Sequence, residues 1–309
     1  MEEKGWNVFW LWVRADFSVH AFSPRRRGGG ARIPELLGTV HRSVPGADCA
    51  VFDMLRDSFQ DLPAPFREKS SVPSCAVLCS ACSRIDLCRT EPESYELNVI
   101  RTRELALRLS EAGYRVCFLS SDHVFDGKRG AYTETDAVNP VNEYGRQKVL
   151  VEQWMLKELP EALIVRLSKQ LCRERSPANL FTQWENQLLR GETIRHIRGM
   201  EISPTDAADS AEVILRLLEK RCHGIYHVCG PEHLTRKELF GIFLKRRFPG
   251  KNPDALSEEK DLEEFAFHDA RPLKSWLNHD KLNAELNYVF LPMENLAECY
   301  CEQGRMVPS

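Results

Sequence analysis

The sequence predicts an α/β protein: a doubly wound parallel sheet with a smaller lobe on its C-terminal side. Three observations predict it. Short apolar runs of strand length alternate with amphipathic stretches of helix length, the order that builds a parallel sheet covered on both faces. Several runs, Cys75–Ser80 and Val116–Leu119 among them, are apolar without alternation, as strands buried on both faces should be. The stretch Ser120 to Lys148, SSDHVFDGKRGAYTETDAVNPVNEYGRQK, joins a strand end, a glycine-bearing loop and a helix start, and concentrates chemistry-bearing residues there.

Composition sets the outer bounds. The 309 residues suffice for one large domain or two modest ones, and 43% apolar content suffices for a core. A net charge of −3 implies no general attraction to nucleic acid or membrane, so neither is expected as a partner. No apolar run approaches the ~20 residues that span a bilayer. Eleven cysteines are scattered. Cys79-x-x-Cys82 has no second pair or histidine cluster at zinc spacing, so it reads as buried reduced thiols. A reducing, cytoplasmic setting is expected.

In chain order, Asn7–Val13 reads as the first strand. A nucleotide-binding fold then needs a glycine-rich turn, so that backbone and helix N-terminus can approach a pyrophosphate. Arg14 to His20 contains no glycine. Gly28, Gly29 and Gly30 follow Arg25–Arg27 without the required spacing and read as a solvated loop. The early apolar run follows acidic residues and precedes no small-residue cleavage site, so no signal peptide is expected. Gly38–Arg42 reads as the second strand, Ala50–Asp53 as the third, with Asp57 solvated, and Cys75–Ser80 as the fourth. A helix opens near Asn98 and runs through Leu109, with Leu97, Ile100, Leu105, Leu107 and Leu109 toward the sheet.

Val116–Leu119 is the fifth strand. The helix from about Val141 carries Tyr144, Lys148, Val151 and Met155 on one stripe. Leu163–Leu167 is the next strand. Thr205 or Asp206 would cap a helix through Leu217. Gly224–Gly230 reads as a strand returning to the sheet, with His227 as a core histidine. Thr235 and Glu238 form a capping box before a helix at Leu239–Lys245. The expected division is a sheet domain over 1–170, with 202–230 returning to it, and a smaller lobe over 171–201 and 231–309.

The chemistry is sharpest at Tyr144 and Lys148, which lie four apart and share a helix face. A free tyrosine, with a pKa of about 10, is a poor acid-base catalyst at neutral pH. An ammonium beside it favours the phenolate and brings the pKa toward the working range. A hydroxyl at the nearby strand end, Ser121 or Ser120, would hold a carbonyl oxygen against the phenol.

These residues carry a resemblance. Ser120-Ser121-Asp122-His123-Val124-Phe125-Asp126-Gly127 followed by Tyr144-Gly145-Arg146-Gln147-Lys148 resembles the extended short-chain dehydrogenase/reductases, and within them the dTDP-4-dehydrorhamnose reductase group. The departure is His123, where the family usually has tyrosine. Ser80-Ala81-Cys82, Leu97-Asn98-Val99, Ile202–Asp209, Gly224–Gly230 and Arg271–Leu282 follow the group's order too, so the resemblance spans about residues 37 to 285. It implies a Rossmann-type sheet and NADP or NAD as cofactor. It also implies catalytic Ser121, Tyr144 and Lys148, the last two also touching cofactor. Asp53 resembles the carboxylate that meets adenine, and Ser80 and Ala81 stand where the backbone passes under the cofactor. Arg42 is open between an NADP 2′-phosphate contact and a surface arginine. On the substrate side the resemblance points to Ser120, Asp122, His123 and Asn179. Arg271 is open between a sugar-nucleotide phosphate ligand and a salt bridge pinning the C-terminal segment. Asn98 is expected to tie its helix to the neighbouring strand. After Ser168 the family continues with an aromatic and a glycine; here Lys169-Gln170 follow.

The implied function is reduction of a 4-keto deoxysugar nucleotide, with a homodimer as the family-level expectation. The regulatory beta subunit of methionine adenosyltransferase shares the same motifs, so a regulatory protein bound to an enzyme partner is the alternative. A sugar-nucleotide epimerase or dehydratase ranks below both, because Asp122-His123 lacks the Asp-Glu pair of the dehydratases. The glycine-free turn leaves two explanations open: cofactor binding is lost, or residues 1 to about 35 do not represent the family's usual start.

Overall fold

The computed structural model describes residues 7–11, 35–40, 49–67, 74–79 and 81–303. At its centre is a seven-stranded sheet, parallel throughout. Its spatial order is Gly224–Val228, Leu163–Leu167, Tyr114–Ser121, Ser74–Leu78, Asn7–Leu11, Glu35–Val40 and Cys49–Val51. The strand order therefore reverses between Asn7–Leu11 and Ser74–Leu78. At such a reversal the crossovers leave on opposite sides, and a crevice opens beyond the carboxyl ends of the strands. The doubly wound sheet expected from the sequence is the observed one. The second strand starts earlier than expected and is described over Glu35–Val40; residues 41 and 42 lie outside the described residues. The Arg14–His20 turn and the Arg25–Gly30 run lie outside the described residues.

Strand alternation sorts the core. Cys75, Val77, Cys117, Leu119, Leu163 and Val165 face the helix Ala207–Glu219. Ala76, Leu78, Val116, Phe118 and Ile164 face the opposite side, against the helices Thr102–Glu111 and Glu143–Glu158. Val151 and Met155 in the latter helix are fully buried. Each such side chain contributes about 1.5–3 kcal/mol over exposure, so apolar burial fixes where this helix lies on the sheet. The register pairs Ser120 with Arg166 and Ser121 with Leu167, which puts both serines at the sheet's carboxyl edge.

The helix expected from Asn98 begins as a π-helical stretch, Glu96–Arg101, and continues as Thr102–Glu111. Leu97, Leu105 and Leu109 are buried as expected, but Ile100 and Leu107 are 42% and 41% exposed. The wider π turn breaks the 3.6-residue spacing at Ile100. Leu107 lies about 200° around the helix from Leu105 and from Leu109, and so faces away. Asn98 does tie its helix down. Its Oδ1 accepts from Cys82 N–H at 2.7 Å, and its Nδ2 donates to Cys82 O at 3.0 Å and to Gln147 Oε1 at 2.7 Å. Asp57 is not merely solvated: it accepts from Asp53 N–H at 2.7 Å.

A second core joins the helices Leu180–Leu189, Arg236–Arg247 and Met293–Gln303 through Phe181, Trp184, Phe240, Phe243 and Tyr300. The parallel pair Ile194–Ile197 and Ser257–Lys260 belongs to the same unit. Asp206 caps the helix Ala207–Glu219, and the Thr235–Glu238 capping box is formed. Leu282 and Phe290, expected in the lobe, pack instead on the first face of the sheet.

Candidate active site

The strand Tyr114–Ser121 delivers its last residues into the crevice. Ser121 caps the short turn Asp122–Val124, its Oγ accepting from His123 N–H at 3.2 Å. Asn142 caps the helix Glu143–Glu158 by accepting from Gly145 N–H at 2.8 Å. The same side chain meets His123 Nδ1 at 2.9 Å and donates to Ala270 O at 3.1 Å. Gly145 explains the glycine of the Tyr-Gly-x-x-Lys pattern. A Cβ there would sit 2.1 Å from the His123 carbonyl oxygen, so only glycine lets helix and turn approach this closely.

Tyr144, Lys148 and Ser121 converge on one cavity of about 530 Å³ between the carboxyl edge of the sheet and the lobe. Lys148 Nζ donates to Leu119 O at 2.7 Å and lies 5.6 Å from the centroid of the Tyr144 ring. The Ser121 hydroxyl donates to Asp122 Oδ1 at 2.9 Å and stands near enough to the Tyr144 phenol to favour its phenolate. The expected lowering of the tyrosine pKa is reversed. Burial pushes the Tyr144 phenol above its ordinary value, Cys88 and Asp122 push it further, and only the Ser121 hydroxyl opposes them. Burial also brings Lys148 down to about 8, against Cys88 and Glu152. Desolvation of a phenolate outweighs the pull of an ammonium already engaged by a carbonyl. At neutral pH Tyr144 is therefore a held acid, suited to giving a proton to an oxygen that gains charge.

Ser120 lines the cavity, but its hydroxyl donates to Glu152 at 2.5 Å. Glu152 forms a buried, two-pronged ion pair with Arg166, at 2.7 and 3.0 Å. Ser121 is thus the hydroxyl turned to Tyr144, and Ser120 supports the strand end. Asp122 lines the cavity with both oxygens occupied, by Ser121 and by Ser275 at 2.9 Å. His123 lines it too, edge-on to Tyr144 at 5.8 Å, and burial depresses its pKa. Ala81 lines it as well.

Other expected site residues lie elsewhere. Asn179 is not at the cavity: it caps the helix Leu180–Leu189 and donates to Cys172 O and Glu174 O at 2.7 and 2.9 Å, which uses its amide fully. The Asp53 carboxylate accepts from Leu55 N–H at 3.0 Å and is not part of the cavity wall. Arg271 reaches the wall, yet its guanidinium pairs with Asp86 at 2.9 Å and covers the Phe267 ring at 4.3 Å. The salt bridge foreseen as one alternative is present. His227 is a core residue, its ring 3.2 Å from Asn278 O and its pKa driven down to about 3 by burial. Arg42 and Ser80 lie outside the described residues.

Sequence reasoning did not foresee Lys169, Arg195, Arg236 and Phe265 on the cavity wall. Lys169 was visible only as a departure from the family's aromatic. Arg236 was hidden inside a capping box whose role is structural. Arg195, Arg236 and Phe265 also border a second cavity of about 740 Å³, so the two form one cleft. Among the described residues the inner cavity carries five cationic side chains, Lys148, Lys169, Arg195, Arg236 and Arg271, against the single carboxylate of Asp122. That excess suits an anionic ligand.

The sheet reversal, the Tyr144–Lys148 helix and the serine at the strand end define an extended short-chain dehydrogenase/reductase. The chain belongs to the RmlD substrate binding domain family, whose model matches residues 58–302. It is 28% identical over 258 residues to the probable low-salt glycan biosynthesis reductase Agl14 of Haloferax volcanii, covering 81% of this chain and 84% of that one. It is 29% identical over 175 residues to methionine adenosyltransferase 2 subunit beta of Xenopus tropicalis, covering 54% of this chain and about half, 52%, of that protein. Among solved structures, a hypothetical dTDP-4-dehydrorhamnose reductase from Sulfolobus tokodaii superimposes with a TM-score of 0.70 at 25% identity, covering 92% and 98% of the two chains. The Bacillus anthracis dTDP-4-dehydrorhamnose reductase, solved with NADP, gives 0.72 at 23% identity over 83% and 90%, a likeness of fold. No helix among the described residues is long and apolar enough to cross a membrane.

Proposed function

We propose that this chain is an NAD(P)H-dependent reductase of a keto sugar nucleotide, with the 4-keto deoxysugar of dTDP-4-dehydrorhamnose as the first substrate to test. One observation carries the reading: Ser121, Tyr144 and Lys148 meet in one cavity at the strand-order reversal, opposite a cationic lobe. The described residues fit the nicotinamide end of a dinucleotide, with Ala81 and Cys79 giving a low wall and Lys148 a donor for ribose hydroxyls. When bound, the nicotinamide supplies hydride to the keto carbon. Ser121 and Tyr144 orient the carbonyl oxygen. Tyr144, kept protonated by burial, gives its proton to that oxygen as it becomes an alkoxide. Residues 1–170 with 202–230 would bind the dinucleotide, and the remainder the sugar nucleotide, in a cytoplasmic homodimer. Matches to relatives that include a glycan biosynthesis reductase support the class.

The test is loss of NAD(P)H absorbance with dTDP-4-dehydrorhamnose. Tyr144→Phe should lower kcat by about 10²–10⁴-fold while dinucleotide affinity is kept. Undiminished turnover in that variant would sink the mechanism. A second reading is a regulatory subunit, supported by the match to methionine adenosyltransferase 2 subunit beta and by the glycine-free Arg14–His20 segment. Absence of turnover together with stable co-purification of an enzyme partner would favour it.

A further inference from the structure

Lys169 is a charged residue of the cavity that the mechanism above leaves without a task. It follows the strand Leu163–Leu167, and its backbone carbonyl accepts from Thr205 N–H at 3.0 Å. Its side chain enters the inner cavity on the side of Asp122 and His123, close enough to feel and alter their charge. Three of the other cations of this wall have partners: Lys148 has the Leu119 carbonyl, Arg195 has Glu258 at 3.2 Å and Arg271 has Asp86; the Arg236 guanidinium has none among the described residues, but it borders the outer cavity as well. Among the described residues the Lys169 ammonium has neither an ion pair nor a hydrogen bond. The nearby carboxylate, Asp122, is already held by two serines.

An ammonium in a half-buried cleft without a counter-charge loses hydration that nothing in the protein replaces. Burial, with Arg236 nearby, brings Lys169 down to about 8, and Asp122 opposes the shift only in part. A ligand that supplies the missing negative charge removes this cost. Its position can be narrowed. Arg195 and Arg236 border both cavities, where a diphosphate linking sugar and nucleoside would cross. Lys169 borders only the inner cavity, beside the Ser121–Tyr144 end where the ring reacts. A charge facing Lys169 therefore belongs to the sugar ring, not to the diphosphate.

We propose that Lys169 is a specificity-determining residue that selects a sugar nucleotide whose ring bears a carboxylate, where a deoxysugar bears a methyl group. This rests on the keto sugar-nucleotide reading and, within it, places an acid-bearing ring ahead of the deoxysugar. A neutral ring leaves the ammonium unpaired; a ring carboxylate accepts a charge-assisted hydrogen bond from it.

Equilibrium binding to the full chain tests this with two ligands that differ only at the ring substituent: a nucleoside diphosphate glucuronic acid and the matching glucose, each in UDP and dTDP form. The wild-type chain should bind the glucuronic acid at least about tenfold more tightly. Lys169→Met should abolish that preference, and Lys169→Arg, which keeps the charge, should retain most of it. Equal affinities in the wild type, or a preference that survives Lys169→Met, overturn the proposal while leaving the sugar-nucleotide site standing. Binding of none of the four ligands overturns both.

Discussion

Replacing His196 by phenylalanine should change the acid stability of the lobe by an amount the structure fixes. His196 lies in the strand Ile194–Ile197 at 1% exposure, edge-on to Trp184 at 5.8 Å and tilted on Phe240 at 5.2 Å. Neither ring nitrogen has a hydrogen-bond partner among the described residues. Burial, with Arg236 and Lys237 nearby, brings its pKa from 6.5 to about 4. The folded chain thus holds the neutral ring while the unfolded chain takes up a proton below pH 6.5. Stability is therefore lost as pH falls from 6.5 toward 4. The full window is about 2.5 pH units at about 1.36 kcal/mol each, so about 3.4 kcal/mol. Between pH 7.5 and pH 5 the loss is about 2 kcal/mol. Phenylalanine cannot titrate. At pH 7.5 its effect mixes relief of two unpaired nitrogens, about 1–3 kcal/mol, with a comparable cost of overpacking. The pH dependence separates the proton from both, because other groups titrate alike in the two proteins. Urea unfolding of wild type and His196→Phe at pH 7.5 and 5 should show the variant gaining about 2 kcal/mol on the wild type at the lower pH. The same difference at both pH values would refute the reasoning, since it would mean that His196 takes up its proton equally in both states.

Two further outcomes follow from the packing around the site. Glu152→Leu leaves Arg166, at 2% exposure, without its counter-charge and should cost about 3–5 kcal/mol in urea unfolding, much of it recovered by adding Arg166→Met. A loss under about 1 kcal/mol would mean that water reaches the pair. Gly145→Ala gains about 1 kcal/mol of helix propensity but drives a Cβ to 2.1 Å from the His123 carbonyl. It should destabilise the chain by about 1–3 kcal/mol and depress turnover by parting Tyr144 from Ser121; an unchanged unfolding midpoint would contradict that close approach.

Much of the fold was legible because its signals are local. Val116–Leu119 and Leu163–Val165 are apolar without alternation, as strands covered on both faces should be, and both lie in strands of the central sheet. Tyr144 and Lys148 share a side of their helix by its period alone, and Gly145 between them marks a close contact whose partner, the His123 carbonyl, the sequence cannot name. Asn98 was placed by its motif, yet its link to Gln147 on another helix required the two helices to meet.

Tertiary structure decided whatever depends on which groups face each other. It separated Ser120 from Ser121, neighbours in sequence, by turning one hydroxyl to Glu152 and the other to Tyr144. It committed Asn179 to a helix cap and Arg271 to Asp86. It reversed the direction of the Tyr144 shift, because a motif records which charges are near but not how much water is removed around them. It also brought Lys169 and Arg236, 67 positions apart, to one wall, where an excess of positive charge exists only once the lobe has closed over the sheet.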